Sequence, residues 1–225
     1  MPPPSYMVTL AATLCGACSS STITFTDDRV SVNATVFSVT DVAEVADTAM
    51  TQYRVTVSRD GERISDARVL AGAPGQLVEL QLDDSGQGFS DVRQGYPADH
   101  EFVVEVAGER LQCSLRGPTF FTVELDPLPT MNTTTDVTWD PSNEPGIYAG
   151  VRLGSPTLVN EGFPPSGVGD DDGSESLPAS MFADPGAYQL RVERGHRQLV
   201  NTKTSRGDLM DCDAWVQRNL DFEIP

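Results

Sequence analysis

Alternating apolar and polar residues dominate the first half of the chain and predict short β-strands. The alternation recurs over Val30–Val39, Gln52–Ile64, Leu77–Phe89, His100–Leu111 and Phe120–Leu125. These segments are rich in β-branched and aromatic residues, and turn sequences such as RDGE, DDSGQG and VAGER interrupt them. Strands that recur about every 8 to 12 residues with such turns are typical of an antiparallel β-sandwich. No strand-and-helix rhythm is visible, which argues against an α/β enzyme fold.

The second half of the chain repeats this pattern after a change of composition. The stretch DPLPTMNTTTD has two prolines and no apolar run, so residues 126–135 are predicted to be a linker. Further strands are predicted at Asp136–Pro141, Ile147–Gly154, Gly186–Gly195 and Trp215–Ile224. A long stretch rich in Gly, Pro, Asp and Ser separates the second of these from the third, and a loop of that length is typical of a functional or mobile segment.

Both halves resemble known β-sandwich modules of bacterial surface lipoproteins. GERISDARV, VELQLDDSGQGF and the segment from His100 to Pro127 are similar to an Ig-like, transthyretin-like domain. VTWDPSNEPGIYAGVRLG and ASMFADPGAYQLRVERG are similar to a fibronectin-III-like module. The resemblance implies an all-β chain with two antiparallel Ig-like sandwiches in tandem after a signal and tether segment. The implied domains are residues 22–125 and 136–225, and the resemblance carries no catalytic motif.

The first 21 residues are predicted to be a lipoprotein signal peptide and tether. The apolar stretch Tyr6–Ala17 is too short to cross a bilayer but suits the core of a signal peptide. Gly16 and Ala17 precede Cys18 as small residues precede the lipidated cysteine in a lipobox, and serines follow it as a tether. A plain secretory signal and an unprocessed structural segment stay open as alternatives. A redox or metal-binding use of Cys15 and Cys18 is disfavoured because further ligands are not close in sequence.

The remaining cysteines predict a disulfide. If Cys18 carries lipid, Cys113 and Cys212 are the thiols left in the mature chain, and an oxidising compartment favours their pairing. The alternative is two separate buried thiols.

The predicted lipid anchor at Cys18 also predicts where the protein lies. The predicted location is the bacterial cell envelope, at the outer membrane or cell surface, with the membrane reached through the anchor.

Composition excludes several partners. The 225 residues include 33 acidic and 15 basic side chains, a net charge of −18. Nucleic acid is an improbable partner because little positive surface is present to replace phosphate counterions. Adhesion to anionic lipid by charge is disfavoured for the same reason.

Two candidate ligand sites stand out in loops. Asp170, Asp171, Asp172 and Glu175 form an oxygen-rich stretch that could hold Ca²⁺, although their spacing differs from that of an EF-hand. Arg206, Gly207 and Asp208 form a tripeptide that resembles an integrin-binding site when a loop displays it. Solvated, non-binding loops are the simpler interpretation of both.

The sequence predicts a non-catalytic protein. His100 and His196 are the only histidines and lie in different halves, with neither a zinc spacing nor a nucleophile elbow nearby. The hypothesis is an envelope-anchored binding, adhesion or spacer module whose partner is an unknown envelope or extracellular protein or glycan. The alternative is a secreted hydrolase accessory or inhibitor module with an unrecognised site.

Overall fold

The protein is built almost entirely of β-strands. The computed structural model describes residues 29–40, 47–154, 161–163, 169–201 and 207–225, and the predicted signal and tether lie outside them. The elements within these ranges are β1 (Val30–Thr40), β2 (Met50–Arg59), β3 (Glu62–Arg63), β4 (Arg68–Ala73), β5 (Gln76–Glu79), β6 (Gln81–Leu82), β7 (Phe89–Gln94), β8 (Asp99–Val106), β9 (Glu109–Arg116), β10 (Val123–Asp126), β11 (Thr135–Trp139), β12 (Ile147–Gly154), β13 (Glu161–Phe163), β14 (Gly169–Asp170), β15 (Ser174–Leu177), a 3-10 helix (Ala179–Phe182), β16 (Gly186–Asn201) and β17 (Leu209–Ile224). The predicted all-β class is confirmed.

The strands form three sheets that share one core. The largest has ten strands, in the order β13-β12-β16-β17-β1-β2-β7-β6, with β14 and β3 added at its sides. A four-stranded sheet, β5-β4-β8-β9, packs on the large sheet: β9 lies against β17 and β16, β8 against β1, and β4 against β2. The third sheet, β10-β11-β15, contributes Val137, Trp139 and Leu177 to the same buried cluster. The ten-stranded sheet is therefore the spine of the molecule.

Sequence alternation decides which side chains enter the core. In β1 the even-numbered residues Val30 to Val36 are buried, whereas the odd-numbered ones point outward. Because successive side chains of a strand leave on opposite faces, this pattern fixes one face of the strand toward the core. The turns follow the same local logic: Asp60 and Gly61 both have positive φ, 52° and 82°, as an Asp-Gly hairpin turn requires.

The strand pairing differs from the predicted division into two separate domains. The long hairpin of β16 and β17 belongs to the second half by sequence, yet β17 pairs in parallel with β1, from Ser31 with Leu209 to Thr40 with Arg218. The remaining strand pairs among the described residues are antiparallel. A boundary between residues 125 and 136 therefore does not separate the sheets, because β17 pairs with β1 on one side and with β16 on the other.

The predicted linker, residues 126–135, is the connection of a hairpin. Val123 to Asp126 of β10 pair with Asp136 to Trp139 of β11, so the chain returns on itself at this point. The backbone N–H of Asn132 donates to the carbonyl of Phe182 at 2.9 Å, which ties the loop to the core. Its tip exposes 74% of Leu128 and 44% of Met131. The segment with two prolines therefore connects two paired strands of one sheet.

Candidate functional site

A trough on the outer face of the spine is the candidate site. It has a volume of about 700 Å³ and crosses strands β16, β17, β1, β2 and β3. Short polar side chains, two arginines and a few apolar groups share its surface. The lining residues are Ser31, Val32, Asn33, Thr35, Phe37, Arg54, Thr56, Ser58, Arg63, Leu199, Leu209 and Asp211.

Strand register arranges the outward side chains in rows across the sheet. One row holds Leu199, Asp211, Asn33 and Thr56, because each pairs with the next across adjacent strands. The next outward row, two residues along, holds Arg197, Asp213, Thr35 and Arg54. Rows on one face lie roughly 6–7 Å apart because each strand residue advances about 3.3 Å. The trough is therefore a grid of side chains assembled from strands far apart in sequence.

Charge is unevenly distributed around the trough. Asp211 is held by Arg197, whose Nε donates to Oδ1 at 2.9 Å and whose second nitrogen contacts Oδ2. No hydrogen bond or ion pair joins the side chain of Arg54 or Arg63 to a described residue. The other arginines in the described ranges all make a polar, ring or electrostatic contact. Within the part of the chain that the structure describes, Arg54 and Arg63 are therefore cations without a paired side chain, in a protein of net charge −18.

An aromatic row borders the trough. Tyr148, Gly195, Trp215 and Phe37 pair in that order across β12, β16, β17 and β1. The rings of Tyr148 and Trp215 meet edge to face with centroids 4.9 Å apart. Glycine is required beneath them, since a Cβ at position 195 would lie 2.7 Å from Cε3 of Trp215. Burial raises the pKa of Tyr148, and the nearby Asp213 carboxylate raises it further.

The same face carries a perturbed carboxyl group. Burial raises the pKa of Asp213, the charge of Asp211 adds to the effect, and Arg197 opposes it. Asp213 lies in the row between the aromatic row and Asp211, where Arg197 Nε approaches its Oδ1 at 3.8 Å. Asp211 and Asp213 therefore both contact Arg197, whereas Arg54 and Arg63 contact no acidic side chain among the described residues.

Between the spine and the four-stranded sheet, Tyr53, Tyr96 and His100 form a buried polar cluster. The Tyr53 hydroxyl contacts His100 Nδ1 at 3.2 Å, and the rings of Tyr96 and His100 are 4.7 Å apart. His100 is fully buried, and burial lowers its pKa to about 4. A neighbouring cleft of about 520 Å³ is lined by Tyr53, Tyr96 and Arg93 among others. Arg93 lies 4.9 Å from the centre of the Tyr53 ring and donates to the carbonyl of Ala71.

Acid is expected to destabilise the protein through His100. The unfolded chain takes up a proton on this residue below its ordinary pKa of 6.5, whereas the folded chain resists protonation down to about 4. Protonation therefore favours the unfolded state in that window, and the free energy of unfolding falls by roughly 3 kcal/mol as pH drops through it. Urea unfolding at several pH values between these limits measures the slope.

The variant His100→Phe supplies the control, because it removes the titrating group and keeps a ring in the cluster. The variant is expected to lose most of the extra pH dependence, while the dependence due to carboxylates stays. Equal slopes for both proteins would show that His100 does not titrate in this way.

The structure joins the two cysteines that the sequence pairs. Cys113 of β9 and Cys212 of β17 form a disulfide with Cα atoms 6.7 Å apart, and both are buried. The bond connects the four-stranded sheet to the spine. Cys18, the predicted lipidation site, lies outside the described residues, so the anchor stays a prediction.

The four acidic residues of the predicted calcium loop do not come together as a metal site. Asp171 is buried against Arg194, with its Oδ2 2.9 Å from Arg194 Nε and both side chains 2% exposed. Asp172 accepts from the backbone of Ser174, and burial raises the pKa of Glu175. Asp170 pairs with Tyr148 at the edge of the spine. Within the described part of the chain, no three His, Cys, Asp or Glu side chains are grouped to hold a metal ion.

The predicted tripeptide is not displayed as an adhesion loop. Arg206 lies outside the described residues, and Gly207 is exposed with φ of 70°. Asp208 is fully buried, and its Oδ1 accepts the backbone N–H of Val30 at 2.8 Å. The carboxylate therefore fixes the start of β1 beside β17, and a receptor cannot reach it in this arrangement.

Neither histidine is placed for nucleophilic catalysis. His100 contacts two tyrosines, as described above, and His196 Nδ1 lies 2.9 Å from the carbonyl of Arg116.

Across the ranges that the structure describes, no helix is both long and apolar enough to cross a bilayer.

Sequence reasoning did not identify the trough. Alternation in β1 predicts which of its residues face outward, but their neighbours come from β17, about 180 residues later. Phe37 and Trp215 carry no local signal of being adjacent. To predict the trough from the sequence, the register between β1 and β17 would have to be known, and local sequence does not contain it.

Comparisons with known proteins do not assign a family. No family model matches the chain, and no curated protein matches it. Among solved structures, a cytokine receptor complex is similar at 16% identity and a TM-score of 0.28, over 64% of this chain and 78% of its own. A segment of two fibronectin type-III domains from chicken tenascin is similar at 14% identity and a TM-score of 0.25, over 78% of this chain and 97% of its own. TM-scores this low do not establish a shared fold, so the fibronectin-III-like assignment stays a prediction.

Proposed function

We propose that the chain is a non-catalytic recognition module, exported and held at the bacterial cell envelope by lipid on Cys18, that binds its partner in the trough. The observation that carries the binding role is the pair Arg54 and Arg63. Among the described residues, neither side chain has a hydrogen-bond or ion-pair partner, in a chain whose acidic residues outnumber its basic ones by 33 to 15. Unpaired donors on a concave surface favour ligand binding over a purely structural role.

The position of the trough supports this role. The inner faces of all three sheets contribute to the core, so the side chains of the outer face are not needed to bury the interior. The trough also crosses the middle of the spine, where the backbone groups of β17, β1 and β2 are already hydrogen-bonded to one another. A ligand there is read by side chains and not by addition of a β-strand to an edge.

The anchor is tested by the intact mass of full-length protein expressed in a bacterium and purified from its membrane fraction. Loss of residues 1–17 together with the mass of a lipid group is expected, as the lipobox-like sequence before Cys18 indicates. Cys18→Ser is expected to abolish both changes. An unmodified, full-length chain in the soluble fraction would contradict the anchor and leave the trough untouched.

The trough is tested by photo-crosslinking. A photo-reactive amino acid replaces Thr56, which lines the trough, or Ser114, which is exposed on the opposite sheet. Illumination in the native envelope is expected to give an adduct at position 56 and none at position 114. The adduct is expected to disappear when Arg54 and Arg63 are both replaced by glutamine. No adduct at position 56, or equal adducts at both positions, would overturn the proposed binding site.

A further inference from the structure

We infer that the ligand of the trough is a neutral polysaccharide that lies across the strands, with sugar rings against the aromatic row. The inference rests on the proposed function, because it names the chemical class of the ligand for the same trough. It is carried by the mixture of side chains, the bordering rings and the charge of the chain.

The hydrogen-bonding groups of the trough match a ligand rich in hydroxyl groups. Arg54 and Arg63 only donate, Asp211 only accepts, and Asn33 does both. Ser31, Thr35, Thr56 and Ser58 add hydroxyl groups that donate or accept. A sugar hydroxyl also donates and accepts, so it can satisfy each member of this set. A peptide backbone has fixed donors and acceptors, which are paired most readily at a strand edge.

The aromatic row offers a surface for the apolar faces of sugar rings. Phe37 belongs both to the row and to the trough, and Trp215 is its neighbour across β17. Gly195 lets the rings of Trp215 and Tyr148 lie directly over its Cα, where a Cβ would come within 2.8 Å of both. Aromatic side chains combine a large apolar area with little loss of conformational freedom on binding, and suit ligands that alternate apolar and polar groups.

The extent of the trough fits a polymer and the charge favours a neutral one. Crossing five strands spans roughly 19 Å, since neighbouring strands are about 4.8 Å apart. A net charge of −18 repels a polyanion at distances beyond the local reach of two arginines. An uncharged chain of sugars avoids this repulsion and still accepts hydrogen bonds from Arg54 and Arg63.

The experiment is affinity electrophoresis of the full chain in native gels that contain one soluble polymer each. The polymers are dextran, a β-1,3-glucan and a soluble β-1,4-glucan as neutral sugars, polygalacturonate as an acidic sugar, and poly-L-glutamate as an acidic peptide. At least one neutral polysaccharide is expected to retard the protein. The variant Phe37→Ala and the double variant Arg54→Gln, Arg63→Gln are each expected to weaken that retardation by about tenfold in dissociation constant.

Arg110→Gln is the matched control, because Arg110 is an exposed arginine on the opposite sheet, 3.7 Å from Glu105. Its retardation is expected to equal that of the wild type, and the melting temperatures of all variants verify folding. Retardation by polygalacturonate alone would replace the neutral sugar with an acidic one and overturn the neutral assignment. Retardation by poly-L-glutamate alone, or by none of the polymers, would overturn the polysaccharide ligand. In either case an adduct at position 56 would still support the trough, whereas its absence would remove the proposed function itself.

Discussion

Replacing Asp171 by alanine is expected to destabilise the protein by about 3–5 kcal/mol, because it leaves a buried cation without its partner. The side chains of Arg194 and Asp171 are each 2% exposed, and Nε of the first lies 2.9 Å from Oδ2 of the second. Burial lowers the pKa of Arg194, and Asp171 opposes that change. A guanidinium stays protonated even so, which means that the variant must bury an uncompensated charge or open the structure to water.

The carboxylate of Asp171 also organises the loops around it. Its Oδ1 accepts from Trp139 Nε1 at 2.6 Å, and its Oδ2 accepts from the backbone of Ser142 at 2.7 Å. Arg194 in turn donates to the carbonyls of Thr119 and Asp140 and lies 4.4 Å from the centre of the Phe121 ring. The pair therefore connects β16 of the spine to the segments that follow β9 of the four-stranded sheet and β11 of the third sheet, so its loss is expected to weaken contacts among all three sheets.

Urea unfolding of the wild type and the variant measures this effect. Asp172→Ala is the control, since Asp172 is the exposed neighbour and accepts only a local bond from Ser174. The control is expected to change the free energy of unfolding by less than about 1 kcal/mol. A loss below about 1 kcal/mol in Asp171→Ala as well would mean that water reaches the arginine and that the pair is not structural.

Local sequence was sufficient for several strands and turns, whereas β4 (Arg68–Ala73) was not predicted and the predicted strand Leu77–Phe89 is divided among β5, β6 and β7. The alternation in Val30–Val39 becomes β1, and Ile147–Gly154 becomes β12 with the predicted bounds. The VAGER turn places Ala107 and Gly108 at positive φ between β8 and β9, as its glycine indicates. These features depend on side-chain periodicity and on the conformational freedom of a few residues, both of which are local.

The assembly of the sheets was not predictable in this way. Parallel pairing of β1 with β17 joins the backbones of two strands that lie about 180 residues apart in sequence, and neither strand carries a sign of the other. Asp208 helps to fix that pairing through the backbone of Val30, although its sequence resembles an exposed adhesion motif. The same limit applies to the trough: alternation places Asn33 and Phe37 on one face of β1, but it does not reveal that Asp211 and Trp215 lie beside them.

The disulfide was predictable because few cysteines are available to pair: two of the four lie in the predicted signal segment. Pairing of Cys113 with Cys212 was predicted from an expected oxidising compartment and from the count of cysteines left if Cys18 is lipidated, without knowledge of the fold. What the sequence could not indicate is that the bond joins two different sheets across the shared core. Because the bond joins β9 to β17, its position determines how reduction affects the stability of the protein.

Reduction of this disulfide is expected to lower the free energy of unfolding by up to roughly 4–5 kcal/mol in the chain-entropy account. The two cysteines are 99 residues apart in sequence, so the bond closes a long loop in the unfolded chain and removes much of its conformational freedom. In the folded chain both cysteines are buried, at 2% and 0% exposure, and β9 stays packed on β17 by its apolar residues. Most of the loss therefore comes from the unfolded state, and the reduced protein is expected to keep its fold near neutral pH.

The measurement compares oxidised and reduced forms of one chain, which avoids the cavity that a cysteine substitution creates. A Cys15→Ser, Cys18→Ser background leaves the pair as the only thiols, and reduction is completed in denaturant before refolding because both sulfurs are shielded. The urea midpoint is expected to fall markedly on reduction. In the same background, Cys113→Ala with Cys212→Ala is expected to show no response to reductant. A shift of less than about 1 kcal/mol in the cysteine-containing chain would mean that the pair does not restrict the unfolded ensemble, and that sheet packing alone holds β9 to the spine.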